Sequence, residues 1–188
     1  MGPARQALRA ATHAIHDRLD KAAVLRPLTS QAITVAQYRA ALVALHGFNA
    51  PVERALGADA ARLDLLRADL ADLGLDAESL PVAINLPPLD SHPARLAARY
   101  VLDGSAHGGR AILPNITRSL GFDGSHGARF LASSGLDMAG RWKALLAQLE
   151  TDLADPVARD EACETAVALF SALEQWTSGF AALNPAYD

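Results

Sequence analysis

The 188-residue sequence is poor in the features on which several protein classes depend. Its single cysteine, Cys163, cannot form an internal disulfide, so we expect a reducing compartment, the cytoplasm. No apolar run approaches the roughly 18 residues of a membrane span, and the first residues lack a secretory-type apolar stretch. The net charge of −4 argues against a protein that binds the phosphate backbone of nucleic acids, because such a protein needs an excess of basic residues. We therefore expect neither membrane nor nucleic-acid binding.

Aromatic residues are also scarce, at 5% of the chain, whereas hydrophobic residues make up 51% and are mostly Ala and Leu. Ala and Leu favour helices, while strands are enriched in β-branched and aromatic residues. No internal repeat or change of composition divides the chain. We expect an all-α protein with one domain, residues 1–188, and about seven or eight helices.

Apolar periodicity, capping residues and prolines predict the bounds of these helices. Thr34 is a candidate N-cap, Gly74 a candidate helix end, and Pro51 is expected to kink or interrupt the second helix. Three prolines between residues 75 and 92 predict an extended loop that crosses the surface or caps a pocket. The predicted helices are residues 4–21, 34–56, 60–73, 93–102, 110–120, 129–132, 137–153 and 156–178.

The first helix carries polar side chains along one stripe, namely Arg9, Thr12, His16 and Asp20. A neutral imidazole can ligate haem iron, and a cation two turns away could pair with a carboxylate of the same ligand. Leu8, Ala11 and Ile15 border the stripe and could form an apolar floor. Two plainer interpretations stay open: a surface histidine on an amphipathic helix, or a metal pair formed by His13 and His16.

Residues 100–109 read Tyr-Val-Leu-Asp-Gly-Ser-Ala-His-Gly-Gly and interrupt a helical pattern. Each glycine costs a helix roughly 1 kcal/mol relative to alanine. Gly104 and Gly108, four residues apart, would present bare backbone on one face, which suits close approach to a flat ligand. A tight helix–helix crossing and an ordinary loop at a helix end are the alternatives.

Both segments resemble haem oxygenases. The pattern Leu-Arg-x-x-Thr-x-x-x-His at residues 8–16, with an acid at position 20, is similar to the proximal helix of that family. Residues 100–109 resemble the distal helix of bacterial members, particularly those found with bacterial phytochromes. The resemblance implies a helical haem oxygenase-like fold with haem between these two helices. It implies His16 as the iron ligand, Asp20 as an acid that influences it, and Arg9 as a propionate contact beside Thr12.

On the distal side the resemblance implies that the backbone of Gly104, Gly108 and Gly109 lies over the haem and directs bound oxygen. Two residues depart from the common pattern. Ser105 stands where many members have an aspartate that organises the proton-delivering water. His107 replaces a small or apolar residue, and its ring could either ligate the iron from the distal side or point away from it.

Basic residues of a later helix complete the predicted haem site. By the same resemblance, Lys143 falls where the family places a cation near the propionates, and Arg141 could substitute for it. Solvated surface bases are the plainer interpretation.

The activity that the resemblance implies is cleavage of haem to biliverdin, carbon monoxide and ferrous iron. Haem would be both substrate and cofactor, with O2 and external electrons consumed. No nucleotide-binding fingerprint is present, so a separate donor such as a ferredoxin or a reductase is expected. A bacteriophytochrome is a candidate acceptor of the biliverdin.

Two alternatives belong to other functional classes. One is a non-catalytic haem-binding, storage or sensing protein on the same fold, silenced at Ser105 and His107. The other is a relative of similar helical fold that acts on pyrimidine-type substrates, for which Cys163 would have to be the nucleophile.

Overall fold

The computed structural model describes residues 2–57 and 60–183, and within these ranges it contains no β-strand. None of the described helices is both long and apolar enough to cross a bilayer. Two short 3₁₀ helices, Arg26–Thr29 and Ala77–Ser79, lie in the connections. The expected all-α class is confirmed. The α-helices in the described ranges are α1 (Pro3–Leu19), α2 (Val35–Leu56), α3 (Ala61–Asp72), α4 (His92–Leu120), α5 (Arg129–Ala132), α6 (Met138–Asp152) and α7 (Pro156–Leu183).

Helix α2 begins where its capping residues predict. The Thr34 hydroxyl accepts a hydrogen bond from the Gln37 backbone N–H, and the Gln37 side chain accepts one from the Thr34 N–H. This reciprocal pair satisfies two of the donors that a helix start leaves unpaired. At the other end Gly57 adopts a left-handed conformation with φ of 58°, which ends the helix.

The predicted interruption of α2 at Pro51 is wrong, because the helix continues to Leu56. Proline lacks the N–H that would bond to the carbonyl four residues earlier, which here belongs to Gly47. That carbonyl instead accepts a hydrogen bond from the Ala83 N–H at 2.9 Å, so the loop after α3 compensates for the missing donor. A tertiary contact therefore permits the proline inside the helix.

The predicted break near residue 104 is also wrong, because α4 runs without interruption from His92 to Leu120. The Ser91 hydroxyl caps its start by accepting from the Ala94 N–H, and Gly121 ends it with a φ of 76°. The glycines weaken the intrinsic helix propensity, but α5, α6 and α7 pack along this helix and hold it.

Two groups of buried apolar side chains form the core. The first lies among α1, α4, α6, α7 and the second half of α2, and its fully buried members include Leu8, Val52, Ala97, Leu149 and Leu169. The second lies among α2, α3, α5 and the end of α4, and includes Tyr38, Leu42, Leu66, Leu70 and Ile116. Trp176 of α7 contacts both groups and donates from Nε1 to the Ala44 carbonyl at 2.8 Å.

The α2 cap provides a test of this local structure. Thr34→Ala removes the hydroxyl acceptor, and we expect the free energy of unfolding to fall by about 1 kcal/mol. Denaturant unfolding followed by circular dichroism measures the change. Thr151→Ala is the matched control, because Thr151 is exposed within α6 and its hydroxyl, among the described residues, bonds to the Ala147 carbonyl alone. Equal losses of stability in the two variants would contradict the capping role.

Candidate functional site

A pocket of about 300 Å³ lies between α1 and α4, with α6 and α7 completing its walls. Its volume is within the range of small-molecule sites in proteins. We call it the α1–α4 pocket. Its lining residues are Arg5, Thr12, His16, Tyr100, Val101, Gly104, Ser105, His107, Trp142 and Phe170. The fold thus brings together residues from the two segments that the sequence singled out.

Helix α1 presents one polar face to this pocket. Thr12 is buried and donates its hydroxyl proton to the Leu8 carbonyl at 2.8 Å. One turn later, His16 keeps 58% of its side chain exposed, and its Nδ1 lies 3.4 Å from Oδ2 of Asp20. The His16 ring also meets Phe170 of α7 edge-on, with centroids 5.9 Å apart. A carboxylate at Nδ1 favours the proton there and leaves the Nε2 lone pair available for a ligand bond.

The apolar side chains of α1 do not form the expected floor of the site. Leu8 and Ile15 are buried in the protein core, and Ala11 is exposed. The pocket takes its apolar surface from other helices instead. Tyr100 and Trp142 pack with ring centroids 5.6 Å apart, and Val101 and Phe170 lie beside them. Helical periodicity does not reveal that Phe170 faces this pocket, because the pattern does not show which neighbour a helix face meets.

His13 and His16, considered from the sequence as an alternative metal pair, lie next to two different carboxylates, Asp17 and Asp20. His13 lies 3.5 Å from Asp17, with both side chains exposed. The potential metal-binding group found among the described residues is His16, Asp17 and Asp20, whose ligand atoms lie within 4.8 Å of one another. His13 is not part of that group.

The α4 side of the pocket carries Gly104, Ser105 and His107. A Cβ placed on Gly104 would lie 3.6 Å from the Trp142 ring, which is ordinary contact, so the glycine leaves bare backbone beside that ring. The Ser105 hydroxyl donates to the Leu102 carbonyl at 2.6 Å and accepts from Nη1 of Arg62 at 2.9 Å. The Ser105 hydroxyl proton is therefore used in a hydrogen bond to the helix backbone and does not point into the pocket as a donor.

Gly108 and Gly109 do not line the α1–α4 pocket. Gly108 is exposed, and apart from its chain neighbours and its own helix backbone no atom of the described residues lies within 4 Å of a Cβ built on it. Gly109 is buried against α5, where a Cβ would lie 3.0 Å from the Leu131 carbonyl oxygen. The tight helix crossing considered from the sequence therefore describes Gly109, while Gly104 is the glycine that faces the pocket.

The predicted cationic contacts fall outside the pocket lining. Arg9 is exposed on α1, beside Gln6 and His13, and the pocket is instead lined by Arg5, one turn earlier. Arg141 pairs with Asp103, whose side chain is only 4% exposed, at 2.9 Å between Nε and Oδ2. Lys143 is exposed. Arg5 could have been identified from its spacing, because it lies seven residues before Thr12, nearly two helical turns.

A buried ionic network lies behind the α4 wall. Glu53 and Arg99 pair at 2.9 Å, close to the Asp103–Arg141 pair. Burial raises the pKa of Glu53, an effect that Arg99 opposes. Arg62, 4% exposed, donates to the Leu102 carbonyl and packs over the Phe130 ring.

Arg62 is the residue of this network that reaches the pocket lining, through Ser105. Burial lowers the pKa of its guanidinium to about 10, while Asp103 and Glu53 act in the opposite direction. Among the described residues, nothing hydrogen-bonds to its Nε or Nη2. In the sequence Arg62 looks like an ordinary helix-surface base, so no local signal could have identified it.

Cys163 lies on α7, half-buried against the core and away from the pocket lining. Burial raises the pKa of its thiol, and Asp160 raises it further. A reactive cysteine needs a lowered pKa, because the thiolate is the nucleophile. These surroundings oppose the alternative in which Cys163 attacks a pyrimidine-type substrate.

The neighbouring glycines of α4 provide a matched stability test. Gly108→Ala should raise the free energy of unfolding by about 1 kcal/mol, because it improves helix propensity without a clash. Gly109→Ala gains the same propensity but pushes a methyl group against the Leu131 backbone, and its stability should fall below that of Gly108→Ala by roughly 1–3 kcal/mol. Thermal and urea unfolding of both variants measure the difference. Equal stabilisation would show that the α4–α5 contact is looser than described.

Comparison with known proteins supports the fold by structure rather than by sequence. No family model and no curated protein matches the chain. A solved structure that does match is the haem oxygenase of Neisseria meningitidis, one of a set of its NO-bound and CO-bound forms. The match has a TM-score of 0.74 and covers 96% of this chain and 92% of that one, at 24% sequence identity. Because this identity is low and the structural agreement spans nearly both chains, the comparison establishes architecture: the chain has the haem oxygenase fold.

Proposed function

We propose that the chain is a haem-degrading monooxygenase that converts haem to biliverdin, carbon monoxide and ferrous iron. Haem is both its substrate and its cofactor, and O2 and electrons come from outside. The observation that carries the proposal is the α1–α4 pocket itself, in which His16 on one helix and the bare backbone of Gly104 on another line one cavity. Histidine is one of the side chains that ligate haem iron, and bare backbone lets a flat ligand approach the helix closely.

The residues of the pocket fit a haem in three respects. The His16 imidazole is accessible and has a carboxylate at Nδ1, which suits a metal-ligating Nε2. Tyr100, Val101, Trp142 and Phe170 supply the apolar and aromatic surface that a macrocycle would cover. Arg5 supplies a cation for a propionate, a role also predicted for Arg9, Lys143 and Arg141.

When bound, the haem iron would supply the oxygen and electron chemistry, and the chain would direct it. Asp20 orients the His16 ring. Gly104 keeps the α4 wall free of a side chain, so that a ligand can approach the helix backbone. The rings of Tyr100, Trp142 and Phe170 would exclude water from the part of the pocket that they line.

Arg62 and Ser105 link the pocket to the buried ionic network. The Ser105 hydroxyl accepts from Arg62 and donates to Leu102, so it offers the pocket an acceptor lone pair rather than a proton. We infer that Ser105 orders water in the pocket and leaves proton delivery to that water. The catalytic roles predicted for Gly104 and Ser105 belong to this proposal. The roles predicted for Gly108 and, as a haem contact, for Gly109 would require the ligand to extend beyond the lining of the α1–α4 pocket.

Replacement of the ligand tests the proposal directly. His16→Ala should weaken haemin binding and abolish biliverdin formation, and added imidazole should restore part of both, because it supplies the lost axial ligand. Optical titration with haemin and single-turnover assays with ascorbate measure the two effects. His13→Ala is the control, since His13 lies outside the pocket lining. Normal turnover in His16→Ala would reject the assignment.

Ser105→Ala removes a neutral hydrogen-bonding group but leaves the helix backbone intact. We expect haemin affinity to be retained and the rate of biliverdin formation to fall about fivefold, the equivalent of roughly 1 kcal/mol. The rate is measured from the decay of the Soret band. Complete loss of activity would mean that the hydroxyl takes a direct part in proton transfer.

The second candidate function is haem binding, storage or sensing without degradation. It is favoured by the serine at position 105 and by a second imidazole, His107, in the pocket lining. Addition of ascorbate or a reductase to the haem complex separates the two functions. Loss of the Soret band with appearance of biliverdin supports the enzyme, whereas a persistent haem spectrum supports the binder.

The partners follow from the proposed reaction. The electrons would come from a ferredoxin or a reductase, and a bacteriophytochrome is a candidate acceptor of the biliverdin. The cytoplasm, where haem and such donors meet, is the proposed location.

A further inference from the structure

Two imidazoles line the α1–α4 pocket from different helices, His16 on α1 and His107 on α4. Helices α1 and α4 both pack against α6 and α7, so α6 and α7 fix the relative positions of the two helices that carry the imidazoles. The other nitrogen-bearing side chains of the lining are Arg5 and Trp142, and neither offers a lone pair to a metal. Among the ten lining residues, His107 is therefore the nitrogen ligand available besides His16.

The surroundings of His107 determine which of its nitrogens is available. Nδ1 lies 3.3 Å from the Gly104 carbonyl oxygen. A carbonyl only accepts hydrogen bonds, so Nδ1 carries the proton in this contact and the neutral ring keeps its lone pair on Nε2. That is the tautomer in which a histidine acts as an Nε2 ligand, with its other nitrogen bonded to a carbonyl.

The ring is also held in place by packing. Helical side chains lean towards the N-terminal end of their helix, which sets the His107 ring back towards Gly104. Trp142 meets the ring edge-on at 5.1 Å between centroids. Apart from its chain neighbours and its own helix backbone, the described residues contribute only atoms of Trp142 within 4 Å of a Cβ built on Gly104, so the imidazole lies beside the bare backbone of Gly104 without covering it. This preorganisation lowers the entropy cost of a ligand bond.

We propose that His107 is a second haem ligand, which would bind the iron through Nε2 from the α4 side of the pocket in the resting protein. This inference rests on the proposed haem binding and adds a regulatory step to it. The Nε2 lone pair forms the bond without electron transfer, and a small external ligand must displace the ring to reach the iron. His107 thereby limits access to the site and is a positioning and gating group rather than part of the chemistry.

The experiment compares ferric haemin complexes of the unaltered chain, His107→Leu and the control His13→Ala by optical and electron paramagnetic resonance spectroscopy. We expect a low-spin, six-coordinate complex for the unaltered chain and for His13→Ala, and a high-spin complex for His107→Leu. Azide should bind His107→Leu severalfold more tightly, because no internal ligand competes. Identical spectra for the unaltered chain and His107→Leu would overturn the proposal.

If circular dichroism shows that His107→Leu does not fold, a second variant replaces it in the experiment. His107→Ala leaves a space for added imidazole, and imidazole should restore the low-spin spectrum. If haemin binds the unaltered chain in a high-spin state, only the second-ligand proposal fails. If haemin forms no saturable complex with the unaltered chain, the proposed function fails as well.

Discussion

The α1–α4 pocket depends on the packing of α1 and α4 against the same helix, α7. Leu8 of α1, Ala97 of α4 and Leu169 of α7 are completely buried in the shared core. Burying these side chains places the two outer helices on a common support and keeps a space between their polar faces. Small residues on α4 and α7, such as Ala97 and Ala166, allow close helix approach. Without this support, His16 and Gly104 would lie on unrelated surfaces.

Glycines and prolines in this chain act through tertiary contacts more than through local propensity. Gly47 lies against the Trp176 ring, where a Cβ would meet a ring carbon at 2.3 Å. Its carbonyl, freed by Pro51, is taken up by Ala83. Gly109 similarly permits the backbone of α4 to approach that of α5. Each residue lowers intrinsic helix stability but allows an approach that a larger side chain would block.

The ionic network behind α4 gives the pocket a polar support that is separate from its lining. Glu53, Arg99, Asp103 and Arg141 form two pairs with little exposure, and removing one member would leave a buried charge without its partner. Among the described residues no carboxylate pairs directly with Arg62, which bonds to the Leu102 carbonyl and to Ser105. Its bond to Ser105 connects this network to the pocket lining.

The sequence by itself determined the helical class, most helix ends and the two segments that meet in the pocket. These follow from short-range rules: apolar periodicity, the Thr34 capping box and the Gly74 helix end depend only on neighbouring residues. The pairing of His16 with Asp20 is similarly a matter of helical spacing.

Only the tertiary structure decided the continuity of α2 and α4 and the contents of the site. Pro51 is tolerated because Ala83 bonds to the carbonyl of Gly47 that the proline leaves free, and Gly109 is tolerated because the backbone of Leu131 packs against it. No local sequence pattern encodes either contact. The structure also placed Arg5 in the pocket lining and buried Arg62 behind Ser105. Such roles depend on which helix packs over which face, a property of the whole core.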